Sequence, residues 1–245
     1  AHRLWAHKTY KATLPLEIFI MILNCIALQY TVINWVRDHR LHHKYSDTDA
    51  DPHNARRGFF YSHIGWLLVK KNELVKERGK TIDISDVENN PVLKFQKKYA
   101  ILLFGMSSIV LPTLIPMWCW GETLSNSWHL NVLRYIINLN ASLLVNSAAH
   151  LYGNKPYDRN IMPTQKDFVS YVTGGEGFHN YHHAFPCDYR TAELGQVFYY
   201  NITTWFIDLS AWLGLAYDLK SASPEIIEKR AQNSGDGTRF LNVRQ

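Results

Sequence analysis

The 245-residue chain carries a formal charge of +5 and is 47% hydrophobic and 13% aromatic, yet its mean hydropathy is only -0.22. Apolar residues are therefore gathered into segments, which excludes a many-span transporter and suits a mixed membrane and aqueous protein. The basic balance fits nucleic acid, an anionic membrane face or a phosphorylated ligand, while Cys25, Cys119 and Cys187, widely spaced and without a CxxC pair, indicate neither a disulfide framework nor a thiolate zinc site.

No internal repeat divides the chain, so one domain is expected. It opens on Ala1 without an initiator methionine or signal peptide, which reads as a piece of a longer protein. His2 and His7 form an HxxxxH pair. Ile18 to Val36 is long enough to span a membrane, but Asn24, Gln29, Tyr30 and Asn34 make it amphipathic. His39, His42 and His43 come next as HxxHH inside RDHRLHHKY. Asp47, Asp49 and Asp51 resemble the start of a calcium loop, but Pro52 replaces its glycine and Gly58 its bidentate glutamate, so calcium is excluded.

After a polar run with two basic clusters from Lys70 to Lys98, no charge occurs between Tyr99 and Gly121. Ala100 to Trp118 is the strongest candidate span, because about 20 apolar residues cross the hydrocarbon; Pro112 and Pro116 bend it without forbidding it. A Gly121-Glu122-Thr123 turn leads to a second candidate, Leu124 to Val145, completing a hairpin. His150 stands in NSAAH, and His179, His182 and His183 repeat HxxHH inside GFHNYHHAF. Val197 to Tyr217, aromatic and interrupted by Asp208, suits a helix lying at the membrane interface. From Ser221 the chain reads as a polar, solvated tail.

Positions i, i+3 and i+4 share one helix face, so each HxxHH offers up to three imidazoles towards a common centre. Isolated histidines are more often satisfied structural residues, and His53, His63 and His129 are set aside on that ground. The remaining imidazoles exceed the four ligands of one tetrahedral zinc, which implies two metal ions. Imidazole suits iron, copper, zinc and nickel alike. The pattern lacks both the Glu-x-x-His pairs of soluble carboxylate di-iron bundles and the HExxH of zinc proteases.

The clusters must meet to share a site. If Ile18 to Val36 crossed the bilayer, His2 and His7 would be stranded on the far side, so this stretch is expected along the membrane surface. Two crossings by the hairpin return the chain to its starting side. Residues 1–98 are rich in Lys and Arg and the hairpin turn has none, which puts the metal side in the cytosol. The sequons at Asn140 and Asn201 are then idle.

HRLWAH, WVRDHRLHHKY, DADPHNARRGFFYSHIGWLL, NSAAHLYG and GEGFHNYHHAFP resemble the acyl-CoA desaturases of animals, closely those of insects, from His2 to about Tyr217. The resemblance implies a mainly α fold: an integral membrane helical hairpin and a cytosolic helical cap holding a di-iron centre, with two further membrane helices ahead of the first box. On this scheme residues 1–220 are the desaturase domain, cytosolic over 1–98 and 146–220 with membrane helices at about 99–121 and 124–145, and 221–245 are the tail.

The resemblance also implies the ligands His2, His7, His39, His42, His43, His150, His179, His182 and His183, with Asn146 reaching one iron through water. Arg37 and Asp38 match positions that contact acyl-CoA, and Lys70 and Lys71 match basic positions at its phosphorylated end. Two iron ions, O2, membrane lipid and electrons from cytochrome b5 complete the implied chemistry, in the endoplasmic reticulum membrane, with no catalytic side chain beyond the ligands. Tyr30 and Leu143 depart from the family's usual Asn and Trp, and the latter borders its acyl tunnel. A membrane di-iron fatty acid hydroxylase and a non-catalytic membrane metal-binding protein are the competing readings.

Overall fold

The computed structural model describes residues 1–193 and 201–241; the start of the apolar stretch at Val197 and the last four residues of the tail lie outside the described residues. The chain is mainly helical, with a single two-stranded ribbon among the described residues.

Helix α1 (Leu14–Ala27) begins behind Thr13 with a proline in its first turn, where a missing N–H costs nothing. It stops at Leu28, whose φ of 55° is left-handed. Helix α2 (Val32–Tyr45) leaves at 83° to it. The Ile18 to Val36 stretch is therefore divided between two helices about a sharp elbow. Its cause is tertiary: Gln29 Nε2 donates to Ser142 Oγ at 2.5 Å, and Val32 N donates to the buried Gln96 Oε1 at 2.8 Å.

Helix α3 (Ala100–Trp120) has a mean hydropathy of 2.0 over its most apolar stretch, of which only 11% is buried. Among the described residues it alone is a single helix long and apolar enough to cross a membrane. Exposed Ile101, Leu102, Trp118 and Trp120 give it a lipid-compatible surface with aromatic residues at one end. Gly121, at φ 69°, closes the helix in the left-handed conformation that favours glycine. Thr123 Oγ1 then accepts from Asn126 N at 3.2 Å, capping α4 (Leu124–Asn146).

Pro112 has no N–H to offer the carbonyl of Ser108 four residues earlier. That carbonyl instead accepts from Asn131 Nδ2 and Arg134 Nη2 of α4, each at 3.1 Å. The two helices thus lie side by side, joined where the proline opens the backbone.

Helix α5 (His179–Ala184) carries the third histidine box. Helix α6 (Ile202–Trp212) exposes Ile202, Trp205, Leu209 and Trp212, a spacing that puts them on one face. Phe206 of α6 stacks on Phe19 of α1 with centroids 6.1 Å apart. Lys11 and Ala12 pair antiparallel with Tyr217 and Ala216, tying the two ends of this layer together. The segment after Ser221 is not a solvated tail: its helix Pro224–Ser234 buries Ile227 and Ala231 in the cluster around Tyr157 and Tyr181. The apolar periodicity there is only two residues deep, too short to stand out among its charges.

Candidate metal centre

Each histidine box owes its geometry to the turn that carries it. His2–Ala6 is a π turn in which His7 N donates to His2 O at 3.2 Å. Five-residue spacing is one π turn, so HxxxxH brings both rings to one side, with centroids 5.0 Å apart. The HxxHH boxes lie on α2 and α5.

Of the up to three rings that each HxxHH can offer to one centre, the structure sends two to one group and one to the other. Among the described residues the nine box and NSAAH histidines form two groups with donor atoms within 4.8 Å, His2, His7, His39, His43 and His182 in the first and His42, His150, His179 and His183 in the second, while His42 also groups with Asp51 and His53. Helical rotation explains the split. Residues i and i+4 are about 40° apart around the axis, whereas i+3 falls about 60° to the other side. Each box therefore sends its i, i+4 pair one way and its i+3 ring the other. His39 and His43 join the first group and His179 and His183 the second, while His42 and His182 cross over.

Within the groups, Nε2 atoms face one another. His7 and His39 are 2.8 Å apart, His182 lies 3.1 Å from His2 and 3.0 Å from His43, and His179 lies 3.0 Å from His150 and 3.1 Å from His183. The groups are neighbours, since His43 and His183 stack at 4.1 Å.

Several rings are oriented from behind by carboxylates. His42 Nδ1 lies 2.8 Å from Asp51 Oδ2, His150 Nδ1 lies 2.9 Å from Asp47 Oδ2, and His2 Nδ1 lies 3.2 Å from Glu176 Oε2. A ring whose Nδ1 proton is held by a carboxylate presents a bare lone pair at Nε2. Several such lone pairs converging in a buried space repel unless a cation lies between them, so the residues present fit two imidazole-ligated metal ions.

Sequence reasoning misses these acids, because Asp47 and Asp51 look there like a failed calcium loop. Their position just after an HxxHH box is the available signal. His53, set aside as isolated, is buried with its ring 4.4 Å from His42 and its backbone N–H donating to Asp51 Oδ1 at 3.1 Å. His63 and His129 fit the structural role, bonded to Ser147 and Asn140 in one case and to the Ser125 carbonyl in the other.

Glu176 is held by Arg3, itself buried. The Arg3 guanidinium donates to Glu176 Oε1 at 3.0 Å, Asn201 Oδ1 at 3.1 Å, Thr204 Oγ1 at 2.7 Å and the Tyr189 carbonyl at 2.9 Å. Burial works against the charge of Glu176, but Arg3 and His2 outweigh it and keep the carboxyl well below its usual range. Asn201 is fully buried in this network, so its sequon is out of reach of any glycan. Glycine is required beside it: at Gly175, φ +116°, a Cβ would lie 2.7 Å from Asn201 Cγ and Oδ1. Gly175→Ala is expected to cost on the order of 2 kcal/mol, measured as a lowered thermal unfolding midpoint.

Burial, reinforced by neighbouring rings, holds the pKa values of His7, His39, His43, His179, His182 and His183 well below their ordinary 6.5. Unfolded, the same rings protonate near 6.5, so the unfolded chain binds more protons in acid. Their stabilisation is complete above that value and is lost as pH falls below it. Metal loss and unfolding should set in together on stepping from about pH 7 to about pH 5, followed by metal analysis after dialysis.

A cavity of about 620 Å³ opens onto both groups, reaching His2, His39, His42 and His179 at one part of its wall and Leu28, Tyr30, Phe104 and Leu143 at others. Asn146 also lines it. Asp38 lines it too, bonded by Arg37 at 3.1 Å and by Lys71. Lys70 is exposed and stands outside the lining. Tyr30 has φ 63°, a conformation that Asn adopts more readily than Tyr.

The family model described as fatty acid desaturase matches residues 1–216. The chain belongs to the fatty acid desaturase family. It is 66% identical over 238 residues to an acyl-CoA Delta(11) desaturase of Trichoplusia ni, covering 97% of this chain and 68% of that protein. A Spodoptera littoralis acyl-CoA Delta(11) desaturase is 66% identical over 99% of this chain and 72% of its own length. Stearoyl-CoA desaturase 5 of Bos taurus is 54% identical over 97% of this chain and 71% of its own length. Every histidine in the two groups lies inside the part that the desaturase model matches.

Proposed function

We propose that the chain is the catalytic part of a fatty acyl-CoA desaturase, working with two iron ions in the endoplasmic reticulum membrane. The observation that carries this reading is the sorting of nine histidines into two groups at the wall of a largely apolar cavity, in a chain 66% identical to acyl-CoA desaturases.

His2, His7, His39, His43 and His182 would hold one iron, and His42, His150, His179 and His183 the other, with Asn146 reaching one of them through water. When bound, the irons supply the redox chemistry by which O2, two electrons and two protons take two hydrogens from adjacent methylenes and leave as two waters. Asp51 and Asp47 keep the protons of His42 and His150 on Nδ1, which leaves Nε2 free to donate to metal, while Glu176 sets a negative charge 3.2 Å from Nδ1 of His2. Trp35, stacked on His39 at 4.7 Å, excludes water beside the first group. Arg37, Asp38, Lys70 and Lys71 receive the thioester and phosphorylated end of acyl-CoA at the cavity mouth. Adjacent methylenes are nearly equivalent electronically, so the fit of the chain in the cavity selects the pair that reacts.

In this reading α3 and α4 cross the membrane as a hairpin, residues 1–98 and 146–220 face the cytosol, and α6 lies on lipid. Exposed Lys76, Arg78, Lys80, Lys94, Lys97 and Lys98 give that face a positive charge suited to cytochrome b5 as the acidic electron donor.

The test is expression of the full chain in desaturase-deficient yeast, with lipid products located by mass spectrometry. New double bonds are expected. Alcohols in their place would assign a hydroxylase, and unchanged lipids from membrane-inserted, iron-loaded protein would overturn the assignment.

A further inference from the structure

Arg134 is the eleventh residue of the 23-residue α4, far from either end, and every acceptor of its guanidinium is a neutral oxygen. Nε donates to Asn131 Oδ1 at 2.9 Å, Nη2 to the Ser108 carbonyl at 3.1 Å and Nη1 to the Ile26 carbonyl at 3.2 Å. Asn138, one turn on, donates to the Ala27 carbonyl at 3.3 Å.

Ile26 and Ala27 are the last residues of α1. Carbonyls at a helix end lack intrahelical partners and carry the negative end of its dipole. Arg134 therefore supplies the positive cap for α1 from the middle of a neighbouring helix. The elbow lies directly beyond α1, with Leu28 and Tyr30 both left-handed without being glycine. Such a backbone persists only where its surroundings hold it, and Leu28, Gln29 and Tyr30 form one wall of the cavity. Arg134 itself does not line that cavity.

We propose that Arg134 is a positioning residue for substrate selection: by capping α1 it fixes the elbow wall and so sets which chain lengths and which methylene pair are presented to the histidines. The proposal rests on the desaturase reading. A purely structural Arg134 would change the amount of folded protein but leave the product ratio alone.

The test expresses wild type, Arg134→Met, Arg134→Lys and Asn131→Leu as full chains in desaturase-deficient yeast, and measures iron per protein and the distribution of products by chain length and double-bond position. Arg134→Met is expected to shift the ratio of neighbouring products by at least about threefold, since one methylene of misfit in an apolar pocket changes selection tenfold or more. Arg134→Lys should restore part of it, and Asn131→Leu, which removes the acceptor of Nε while leaving the bonds to the Ile26 and Ser108 carbonyls, should shift it in the same direction as Arg134→Met but by less. If Arg134→Met does not accumulate, the other two variants carry the comparison. Product ratios equal to wild type in iron-loaded variants would overturn the proposal while leaving the desaturase reading intact; a wild type that makes no alkene would remove the reading itself.

Discussion

His182→Ala is expected to abolish desaturation while the protein still inserts in membranes. His182 is the ring that α5 sends across to the first group, where its Nε2 lies 3.1 Å from His2 and 3.0 Å from His43. It joins the HxxxxH turn, α2 and α5 at one point. Removing it opens one ligand position and leaves the facing rings without the geometry that a metal needs, so the loss should exceed the roughly 10–100-fold typical of changes one layer further out. Product analysis by mass spectrometry, alongside membrane flotation, reads the result. Full activity in His182→Ala would sink the metal assignment.

The second large effect separates the two groups. Asp51→Asn keeps the shape of the side chain but removes the charge behind His42, and Asp51 Oδ2 also accepts from Asp47 N at 2.8 Å. Glu176→Gln does the same behind His2. Each should weaken metal binding about 10–100-fold, but at different sites: Asp51→Asn empties the second group and Glu176→Gln the first. Iron per protein is expected to fall by half in either single variant and nearly to zero in the double. A single variant that loses both ions would show that the groups load as one unit, and one that loses neither would deny these acids their role.

How much of this was legible in the sequence depends on the range of the interactions concerned. HxxHH could be read because a helix repeats every 3.6 residues, and its match to a metal-binding pattern needed no tertiary knowledge. The division of each box between two groups could not be read, because it depends on how α2 and α5 face each other. Asp47 as the support of His150 and Glu176 beside His2 were invisible for the same reason, since each meets a histidine more than 100 residues away; Asp51, nine residues after His42, offered a local signal that its likeness to a calcium loop obscured. The candidate span Ala100 to Trp118 was plain from composition, and the structure has one helix there. The elbow was not, since Leu28 to Thr31 contains neither glycine nor proline; its bend is held by Arg134, Asn138 and Ser142 on another helix. The helix at Pro224–Ser234 was lost among charged neighbours that make it look like tail.

The reach of Arg3 has a consequence for biosynthesis. Its partners Glu176, Asn201 and Thr204 are 173 to 201 residues away, and His2 waits for His182 in the same way. At about 5–20 residues per second of translation, the first histidine turn remains without its partners for roughly 10–40 seconds after it is made. On the proposed reading neither group has its complete set of histidines until the chain has been made through His183. A nascent chain arrested before Glu176 should therefore hold no iron, and its early histidines stand open to whichever metal the translating cell leaves free.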